Sequence, residues 1–393
     1  ETIMKKILYS ILIFLLILLN FSTVCADDVD NEVDFEDTIE VTASNVSELP
    51  KTNSRRYIVY DRISKSMIIG KNEDVKSAMA STTKIMTTIV ILEKADLNEK
   101  VTVSAKAGGT GGSRLGLKRG DKASVRDLLY GLMLRSGNDA AVALAEHVGG
   151  SVKEFAELMN EKAIELGLTN THFVTPHGLD DANHYTTALE LAKLTDYAMN
   201  NETFVKIVGT KSTTIYINNQ SRQINNTNEL LGVLNGVVGV KTGFTNNAGR
   251  CLVTETKRNN MDIITIVLGA DTKKDRTKDS VNLIEYTFSK YKMYNLEEQI
   301  IKEFNKWKNI NEKRILIIKG KTSNPKLALG AIEKATIPIC DNDKIEYSIN
   351  ALTEVEAPVE QWNVMGTLTV KLNGEILENI DIVNVNEVQK RDW

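Results

Sequence analysis

Apolar residues recur at helical spacing through the middle of the chain. Between residues 80 and 208 they return every three or four positions, as in helices that bury one face. This pattern predicts six helices, at 80–94, 125–134, 138–148, 151–166, 187–200 and 202–208. Thr187 followed three residues later by Glu190 is a capping-box signature, and it supports the start of the fifth helix.

Strand patterns flank this helical stretch. Tyr57–Tyr60 and Ser66–Ile69 predict two short strands joined by a turn. Further strands are predicted at 211–218, 236–242, 249–256 and 261–269, and a helix at 277–292. Beyond Leu296 short alternating runs, separated by turn residues, predict a small all-β domain.

The N-terminal residues predict export. Lys5 and Lys6 precede an apolar run that is too short to span a membrane comfortably. Small residues follow, so residues 1–26 are predicted to be a signal peptide cut after Ala26. Cys25 raises a lipoprotein alternative, which Val24 before it disfavours.

Composition and charge narrow the classes of protein. The segment 27–54 begins with a stretch dense in Asp and Glu and without Lys or Arg, which predicts a disordered linker. The 393 residues then suffice for two domains, predicted at 55–295 and 296–385, with a tail at 386–393. A net charge of −4 without a basic stripe argues against nucleic acid as a partner. After cleavage only Cys251 and Cys340 remain, in different predicted domains, so stability should come from packed cores.

Ser81 and Lys84 are the first candidates for chemistry. If a helix starts here, the two side chains lie one turn apart on the same face. The helix is apolar nearly all round, so Lys84 should be partly desolvated, which disfavours its ammonium form and allows a neutral amine to take a proton from Ser81. The bland alternative is a surface lysine on a core helix. Two other Ser-x-x-Lys matches, Ser289/Lys292 and Ser323/Lys326, lie near a helix end and across a proline.

Two further motifs follow along the chain. Ser136-Gly-Asn138 presents a hydroxyl and an amide on a turn between two predicted helices, although Asn138 could equally be an ordinary N-cap. Lys241-Thr-Gly243 occurs once and ends a β-branched strand pattern. Lys241 and Thr242 offer a charge and a hydroxyl to a carboxylate, and Gly243 lets a ligand lie along the strand. The alternative is an ordinary strand end with a solvated lysine.

The ordered set is more specific than any of its parts. Ser-x-x-Lys, Ser-x-Asn and Lys-Thr-Gly form a serine acyl-transferase set. The chain resembles the low-molecular-mass penicillin-binding proteins that are serine-type D-alanyl-D-alanine carboxypeptidases, over nearly all of its mature length. The resemblance includes the segments Ala80–Thr87, Gly112–Asp121, Leu132–Ala141, Pro176–Asp180 and Lys241–Thr245.

The resemblance implies a fold and a role for each motif residue. The fold is the α/β (α+β) penicillin-binding or β-lactamase-like transpeptidase fold, an antiparallel sheet flanked by helices beside a helical subdomain, followed by a small β-sandwich-like domain. The resemblance implies that Ser81 is the nucleophile, Lys84 its base, Ser136 the proton relay and Asn138 an orienting residue. It also implies that Lys241, Thr242 and Arg276, beside Gly243, bind the substrate carboxylate. The backbone N–H groups of Ser81 and Phe244 are implied to form the oxyanion hole. No cofactor or metal is implied; stem peptides of peptidoglycan are the substrates and β-lactams the inhibitors.

Competing interpretations lack their own signals. A class A β-lactamase needs a Glu-x-x-Leu-Asn segment, which residues 139–240 do not contain. A metallopeptidase needs clustered ligands, and the four histidines show no ligand spacing. A non-catalytic penicillin-sensing module would tend to lose Lys84 or Ser136. The sequence does not separate a carboxypeptidase from a DD-endopeptidase or a weak transpeptidase.

Location is predicted only in part. Export places the protein in the cell envelope, outside the cytoplasm. The family often carries a C-terminal amphipathic membrane anchor, but residues 380–393 are short and lack a wide apolar stripe. Either the anchor is absent or it lies beyond this chain's end, so peripheral association with the membrane stays open.

Overall fold

The computed structural model describes residues 48–392. The predicted signal peptide and most of the predicted acidic linker lie outside the described residues. In the described part α-helices span Lys84–Lys94 (α1), Ala105–Gly108 (α2), Val125–Leu134 (α3), Asn138–Gly149 (α4), Val152–Glu165 (α5), Ala188–Ala198 (α6), Glu202–Val208 (α7), Lys273–Lys290 (α8) and Leu296–Asn311 (α9).

Strands β1 to β9 belong to the first domain and β10 to β17 to the link and the second domain. Their bounds are Arg56–Asp61, Ser66–Lys71, Lys100–Thr102, Lys122–Ser124, Ser212–Ile217, Gln220–Asn225, Val237–Thr245, Gly249–Arg258 and Met261–Ala270, then Tyr291–Asn295, Leu316–Ile318, Leu327–Leu329, Thr336–Cys340, Ile345–Ala351, Glu354–Glu356, Val364–Leu372 and Glu375–Asn384.

A five-stranded antiparallel sheet in the order β2-β1-β9-β8-β7 forms the centre of the first domain. The central strand β9 is apolar on both faces because both are covered. Ile264 and Ile266 join the large core shared with the helices, whereas Ile263 and Val267 pack with Leu283 of α8. The alternation of side chains along a strand produces this division.

The helical subdomain packs on the other side of that core. α1 is its central helix, with Ile85, Met86, Ile89 and Ile91 fully buried. A small sheet in the order β3-β4-β5-β6 lies beside the helices. The Thr187 hydroxyl accepts a hydrogen bond from the Glu190 N–H, which confirms the predicted start of α6.

The second domain contains a four-stranded sheet, in the order β12-β17-β16-β14, and a parallel pair of β11 and β15. It opens with a helix, α9, that the sequence analysis did not predict. Leu296, Ile300 and Phe304 are buried in its core at helical spacing. The link to the first domain is the pairing of β10 with β13. Val388 still pairs with Val359, so contacts continue beyond residue 385.

β7 is the edge strand of the central sheet, and it lies against the turn that carries Ser81. This arrangement brings the first and third sequence motifs together. Between residues 48 and 392 no helix combines the length and the apolar character needed to cross a bilayer.

Candidate active site

Ser81 lies in a short 3-10 turn, not in the first turn of an α-helix as predicted. The turn spans Ala80–Thr83, and α1 begins at Lys84. Side chains three residues apart are eclipsed in a 3-10 turn, so Ser81 and Lys84 still face each other. Lys84 Nζ is 2.7 Å from Ser81 Oγ. The predicted pairing therefore exists, with a local geometry that differs from the prediction.

Lys84 is fully buried, and its described hydrogen-bond partners are neutral. Besides Ser81 Oγ, its Nζ contacts Asn138 Oδ1 at 2.7 Å and the carbonyl oxygen of His177 at 2.9 Å. An amide oxygen and a peptide carbonyl can only accept, so they take two N–H groups. In the neutral amine the lone pair can then face the Ser81 hydroxyl. This geometry suits a general base.

The turn between α3 and α4 brings the second motif to the same lysine. Gly137 is the N-cap residue and Asn138 the first residue of α4, so the N-cap alternative for Asn138 is wrong. Its amide instead spans two partners, Lys84 and the carbonyl of Gly111, to which Nδ2 donates at 2.9 Å. Ser136 has a φ of 58°, and its buried Oγ makes no hydrogen bond within residues 48–392. A hydroxyl that is not held by a hydrogen bond within the protein can exchange a proton with the substrate.

Lys241, Thr242 and Gly243 lie within β7, which continues to Thr245. The motif is therefore inside an edge strand and not at a strand end as predicted. The strand continues because Lys241 to Thr245 remain paired with β8 in unbroken register. Lys241 is buried, and its Nζ donates to the carbonyl of Thr242 at 2.9 Å.

Gly243 packs directly on the nucleophile turn. A Cβ at this position would lie 3.0 Å from the backbone nitrogen of Ser81 and 3.2 Å from Ala80 Cβ. Any larger side chain would separate β7 from the turn. The predicted oxyanion hole also needs the N–H of Phe244, the next residue, and this contribution stays a prediction. The Arg250 guanidinium lies 3.8 Å from the centre of the Phe244 ring.

Arg276 lies on α8 and is only 2% exposed. Its Nη2 is 3.9 Å from Glu229 Oε2, a long ion pair. α8 packs against β8 and β9 behind the edge strand. The contribution of Arg276 to carboxylate binding stays a prediction.

Two supporting residues, Thr227 and His177, received no role from the sequence, although the resemblance already included the segment Pro176–Asp180. The Thr227 hydroxyl lies 2.7 Å from the Thr242 hydroxyl and so orients it. The loop 176–178 supplies the carbonyl of His177 to Lys84. Burial lowers the pKa of the His177 imidazole to about 3, so this ring stays neutral. These partners are distant in the sequence, and no local pattern identifies them.

No group of three or more His, Cys, Asp or Glu side chains in the part of the chain that the structure describes is arranged to hold a metal ion. The buried polar atoms near Ser81 instead come from Lys84, Ser136, Asn138, Lys241 and Thr242. This arrangement combines a nucleophile, a base and anion-binding groups, the components of acyl transfer through a serine ester.

Comparison with known proteins gives the family. Residues 42–272 match the peptidase S11 family, described as D-alanyl-D-alanine carboxypeptidase. The matched range includes all predicted site residues except Arg276. The D-alanyl-D-alanine carboxypeptidase DacF of Bacillus subtilis (strain 168) is 32% identical over 340 residues, 85% of this chain and 85% of that protein.

Solved structures agree with this match. Penicillin binding protein 5 from Haemophilus influenzae superposes with a TM-score of 0.69 at 30% identity, over 87% of this chain and 99% of that chain. The Streptomyces K15 DD-transpeptidase superposes with a TM-score of 0.58 at 34% identity, over 62% of this chain and 99% of that one. The former similarity extends through the second domain, which confirms the predicted fold. This chain belongs to the D-alanyl-D-alanine carboxypeptidase family of serine peptidases.

Proposed function

We propose that the protein removes the terminal D-alanine from peptidoglycan stem pentapeptides through an acyl-enzyme on Ser81. The observation that carries the proposal is the contact of Lys84 Nζ with both Ser81 Oγ and Asn138 Oδ1, each at 2.7 Å. It joins two of the three motifs at one nitrogen. Gly243 of the third motif packs on the Ser81 backbone.

The first half of the reaction forms an ester. Lys84 takes the proton of the Ser81 hydroxyl, and Ser81 Oγ attacks the carbonyl carbon of the penultimate D-alanine. The Ser81 and Phe244 N–H groups stabilise the oxyanion. As the peptide bond breaks, Ser136 gives its proton to the nitrogen of the leaving D-alanine and takes the proton that Lys84 removed from Ser81, so both residues regain their starting forms. A water molecule then hydrolyses the ester and regenerates Ser81.

The position of the substrate carboxylate decides which bond reacts. Lys241 and Thr242 bind it, with Arg276 as a further positive charge. A carboxylate held there brings the last peptide bond, not an internal one, to Ser81. β-Lactams acylate the same serine because their ring carbonyl occupies the position of that peptide bond. Hydrolysis of the β-lactam ester is then slow, because the amine of the opened ring stays attached to the acyl group and the described site offers no second carboxylate base of the β-lactamase kind.

Location forms part of the proposal. The basic and apolar N-terminal sequence supports export, and a peptidoglycan substrate requires it. The protein would therefore act in the cell envelope, with peripheral membrane association as a further possibility to be measured by fractionation. A variant chain whose N-terminal sequence is replaced by a cytoplasmic start should lose its effect on wall composition.

The experiment is intact-mass analysis after incubation with penicillin and, separately, with a pentapeptide ending in D-Ala-D-Ala. One adduct should form with penicillin, on the peptide that contains Ser81, and free D-alanine should be released from the pentapeptide. Ser81→Ala should abolish both results. Ser289→Ala is the matched control, because Ser289 also precedes a lysine by three residues but bonds only to its own helix at Tyr286 O. An adduct on another serine would refute the assignment.

Acyl transfer to an amine is a second candidate, favoured by the similarity to the Streptomyces K15 DD-transpeptidase. It shares the Ser81 ester and differs in the acceptor. Adding a stem-peptide amine to the same reaction separates the two: transfer gives a cross-linked product, whereas a carboxypeptidase gives the shortened peptide. Cleavage of cross-linked dimers without release of D-alanine would instead identify an endopeptidase.

A further inference from the structure

The backbone immediately before the nucleophile is strained. Ala80 has a φ of 48°, the left-handed region that residues with a Cβ seldom occupy. Such a conformation persists only where the surrounding structure holds it. Its carbonyl oxygen and the Ser81 N–H belong to one planar peptide group, so fixing the oxygen also fixes the direction of the N–H. That N–H is a donor of the proposed oxyanion hole.

Two contacts hold the Ala80 carbonyl. Thr83 Oγ1 donates to it at 2.8 Å. The backbone of Gly178 is pressed against it, since a Cβ at this glycine would lie 1.9 Å from the same oxygen. Bonding of a threonine hydroxyl to the carbonyl three residues earlier is common in helical turns. Here the hydroxyl has a further partner from a distant loop.

That partner is His184, whose Nε2 lies 2.7 Å from Thr83 Oγ1. His184 is buried and follows the loop that also contacts Lys84. Its Nδ1 accepts a hydrogen bond from the Val174 N–H at 3.0 Å. Because Nδ1 accepts, the ring proton of the neutral imidazole is on Nε2 and is donated to Thr83. Burial lowers the pKa of His184 to about 4, in agreement with a neutral ring.

The three hydrogen bonds from Val174 to Ala80 therefore run in one direction. The Val174 N–H donates to His184, His184 to Thr83, and Thr83 to the carbonyl of Ala80. Hydrogen bonds in series polarise one another, and a polarised carbonyl makes the N–H of its own peptide group a better donor. The last group of the series is the Ser81 N–H.

We propose that His184 is a positioning residue for acylation, which acts through Thr83 to hold and polarise the Ala80–Ser81 peptide group so that the Ser81 N–H stabilises the oxyanion. His184 touches neither the substrate nor the nucleophile. The inference rests on the proposed Ser81 acyl-enzyme and adds a residue 103 positions away in the sequence to its machinery.

The chain offers a matched pair of substitutions at His184. In His184→Gln the amide nitrogen can occupy the position of Nε2 and donate to Thr83. In His184→Asn the amide oxygen can replace Nδ1 and accept from Val174, but the shorter side chain does not reach Thr83. Both variants remove the ring and its edge contact with Phe173, so a purely structural role predicts similar losses.

The measurements are the rate constant of acylation by penicillin in the full exported chain and the infrared carbonyl band of the resulting ester. We expect His184→Asn to lower the acylation rate constant about tenfold. The loss should be smaller than that caused by removing an oxyanion-hole donor, because the Ser81 N–H is weakened as a donor but not removed. Its ester band should move to higher wavenumber, because a weaker oxyanion hole polarises the carbonyl less. His184→Gln should keep most of both values, and non-covalent affinity for penicillin should change little.

Thr83 supplies the second test. Thr83→Val, which keeps the shape without the hydroxyl, should behave like His184→Asn, and Thr83→Ser should behave like the wild type. The double variant Thr83→Val/His184→Asn should be no slower than the slower single one. An unchanged ester band, or equal effects of Asn and Gln, would overturn the proposal. The Thr83 pair decides the matter if a His184 variant does not fold. Absence of any ester in the wild type would instead refute the proposed function.

Discussion

Two largely buried basic side chains of this molecule, Lys84 and Arg62, have different kinds of hydrogen-bond partner. Lys84 contacts a hydroxyl, an amide oxygen and a peptide carbonyl, all neutral. Arg62 contacts three carboxylates, Asp196 and Asp262 at 2.9 Å and Glu255 at 2.5 Å. Both side chains are largely shielded from water. The charge of their partners is what differs.

This difference has a chemical consequence. Carboxylate neighbours stabilise a positive charge, and they raise the pKa of Arg62 against the effect of burial. Neutral acceptors give much less compensation, so a buried amine beside them can exist without its proton. Arg62 therefore suits a structural role that joins β1, α6, β8 and β9, whereas Lys84 suits proton transfer. Burial of a basic side chain alone does not identify a base.

Position in the sheet agrees with this division. Asp262, a partner of Arg62, lies near the start of β9. Ala270, the last residue of β9, pairs with Arg250, which lies beside Phe244 of the proposed active site. Eight residues of strand separate the two ends, about 26 Å. Changes at Arg62 should therefore affect stability and leave the chemistry of each folded molecule intact.

The largest effect should follow Lys84→Arg, a change at the proposed base. The guanidinium keeps its proton, so it cannot act as a base. We expect acylation by penicillin to fall by roughly a hundredfold or more, measured by intact mass against time. Near wild-type acylation would mean that the base lies elsewhere, and Ser136 would be the next residue to test. Thermal unfolding checks that the fold survives.

Arg62→Met should give the next largest effect, on stability. It leaves several buried carboxylates without their shared partner, at a cost of about 3–5 kcal/mol. Penicillin acylation per folded molecule should stay near the wild-type value. Arg55→Met is the control, because Arg55 and Asp271 form an exposed pair 3.7 Å apart whose loss should matter little. Equal stabilities of the two variants would contradict the structural role.

Lys241 is a third buried basic side chain, and we assign it to the substrate carboxylate. Amidation of the substrate C-terminus removes the charge, and each charge-assisted contact is worth about 1.5–3 kcal/mol. kcat/KM should therefore drop at least about tenfold. Lys241→Ala should be similarly slow on the free acid and lose little more on the amide. A further large loss on the amidated peptide would assign Lys241 to another role.

The smallest expected effect is on the pH dependence of stability. Burial, together with nearby Asp262, raises the pKa of Glu255 to about 7, against the opposite effect of Arg62 and Lys257. Between the ordinary carboxyl pKa and 7 the folded state holds the extra proton, so this group makes the protein less stable as the pH rises through that window. Glu255→Gln should remove this slope, so that its melting temperature relative to the wild type improves from pH 5 to pH 8. Glu161→Gln, on the exposed face of α5, is the control. If the melting temperatures of Glu255→Gln and the wild type change in parallel with pH, the raised pKa of Glu255 is refuted.

Much of this account followed from the sequence because the relevant patterns are local. The bounds predicted for α3 and α7 are those observed, since each pattern has a clear end. The three motifs were assigned to one site by their order in the chain. The α9 helix was missed because the short alternating runs after Leu296 dominated the interpretation, although its apolar positions have helical spacing.

Other features depend on contacts that no local pattern encodes. The 3-10 turn at Ala80–Thr83 is held by a loop about a hundred residues later. The extension of β7 past Thr242 depends on its pairing with β8. The amide and carbonyl partners of Lys84 and the carboxylate partners of Arg62 both come from tertiary packing, and the sequence presents both residues simply as basic side chains.

The proposed role of Lys84 as the base is tested by its protonation state in the unmodified protein. NMR of chains labelled at the lysine Cε, with Lys84→Arg to identify the signal by its loss, reports this state for each pH. We predict a neutral amine for Lys84 at the pH where acylation is fastest. Lys162 is the control: its hydrogen bonds to Glu165 and Glu93 raise its pKa against the effect of burial, so it should give an ammonium signal. An ammonium signal for Lys84 throughout the range in which acylation rises would contradict its role as the base.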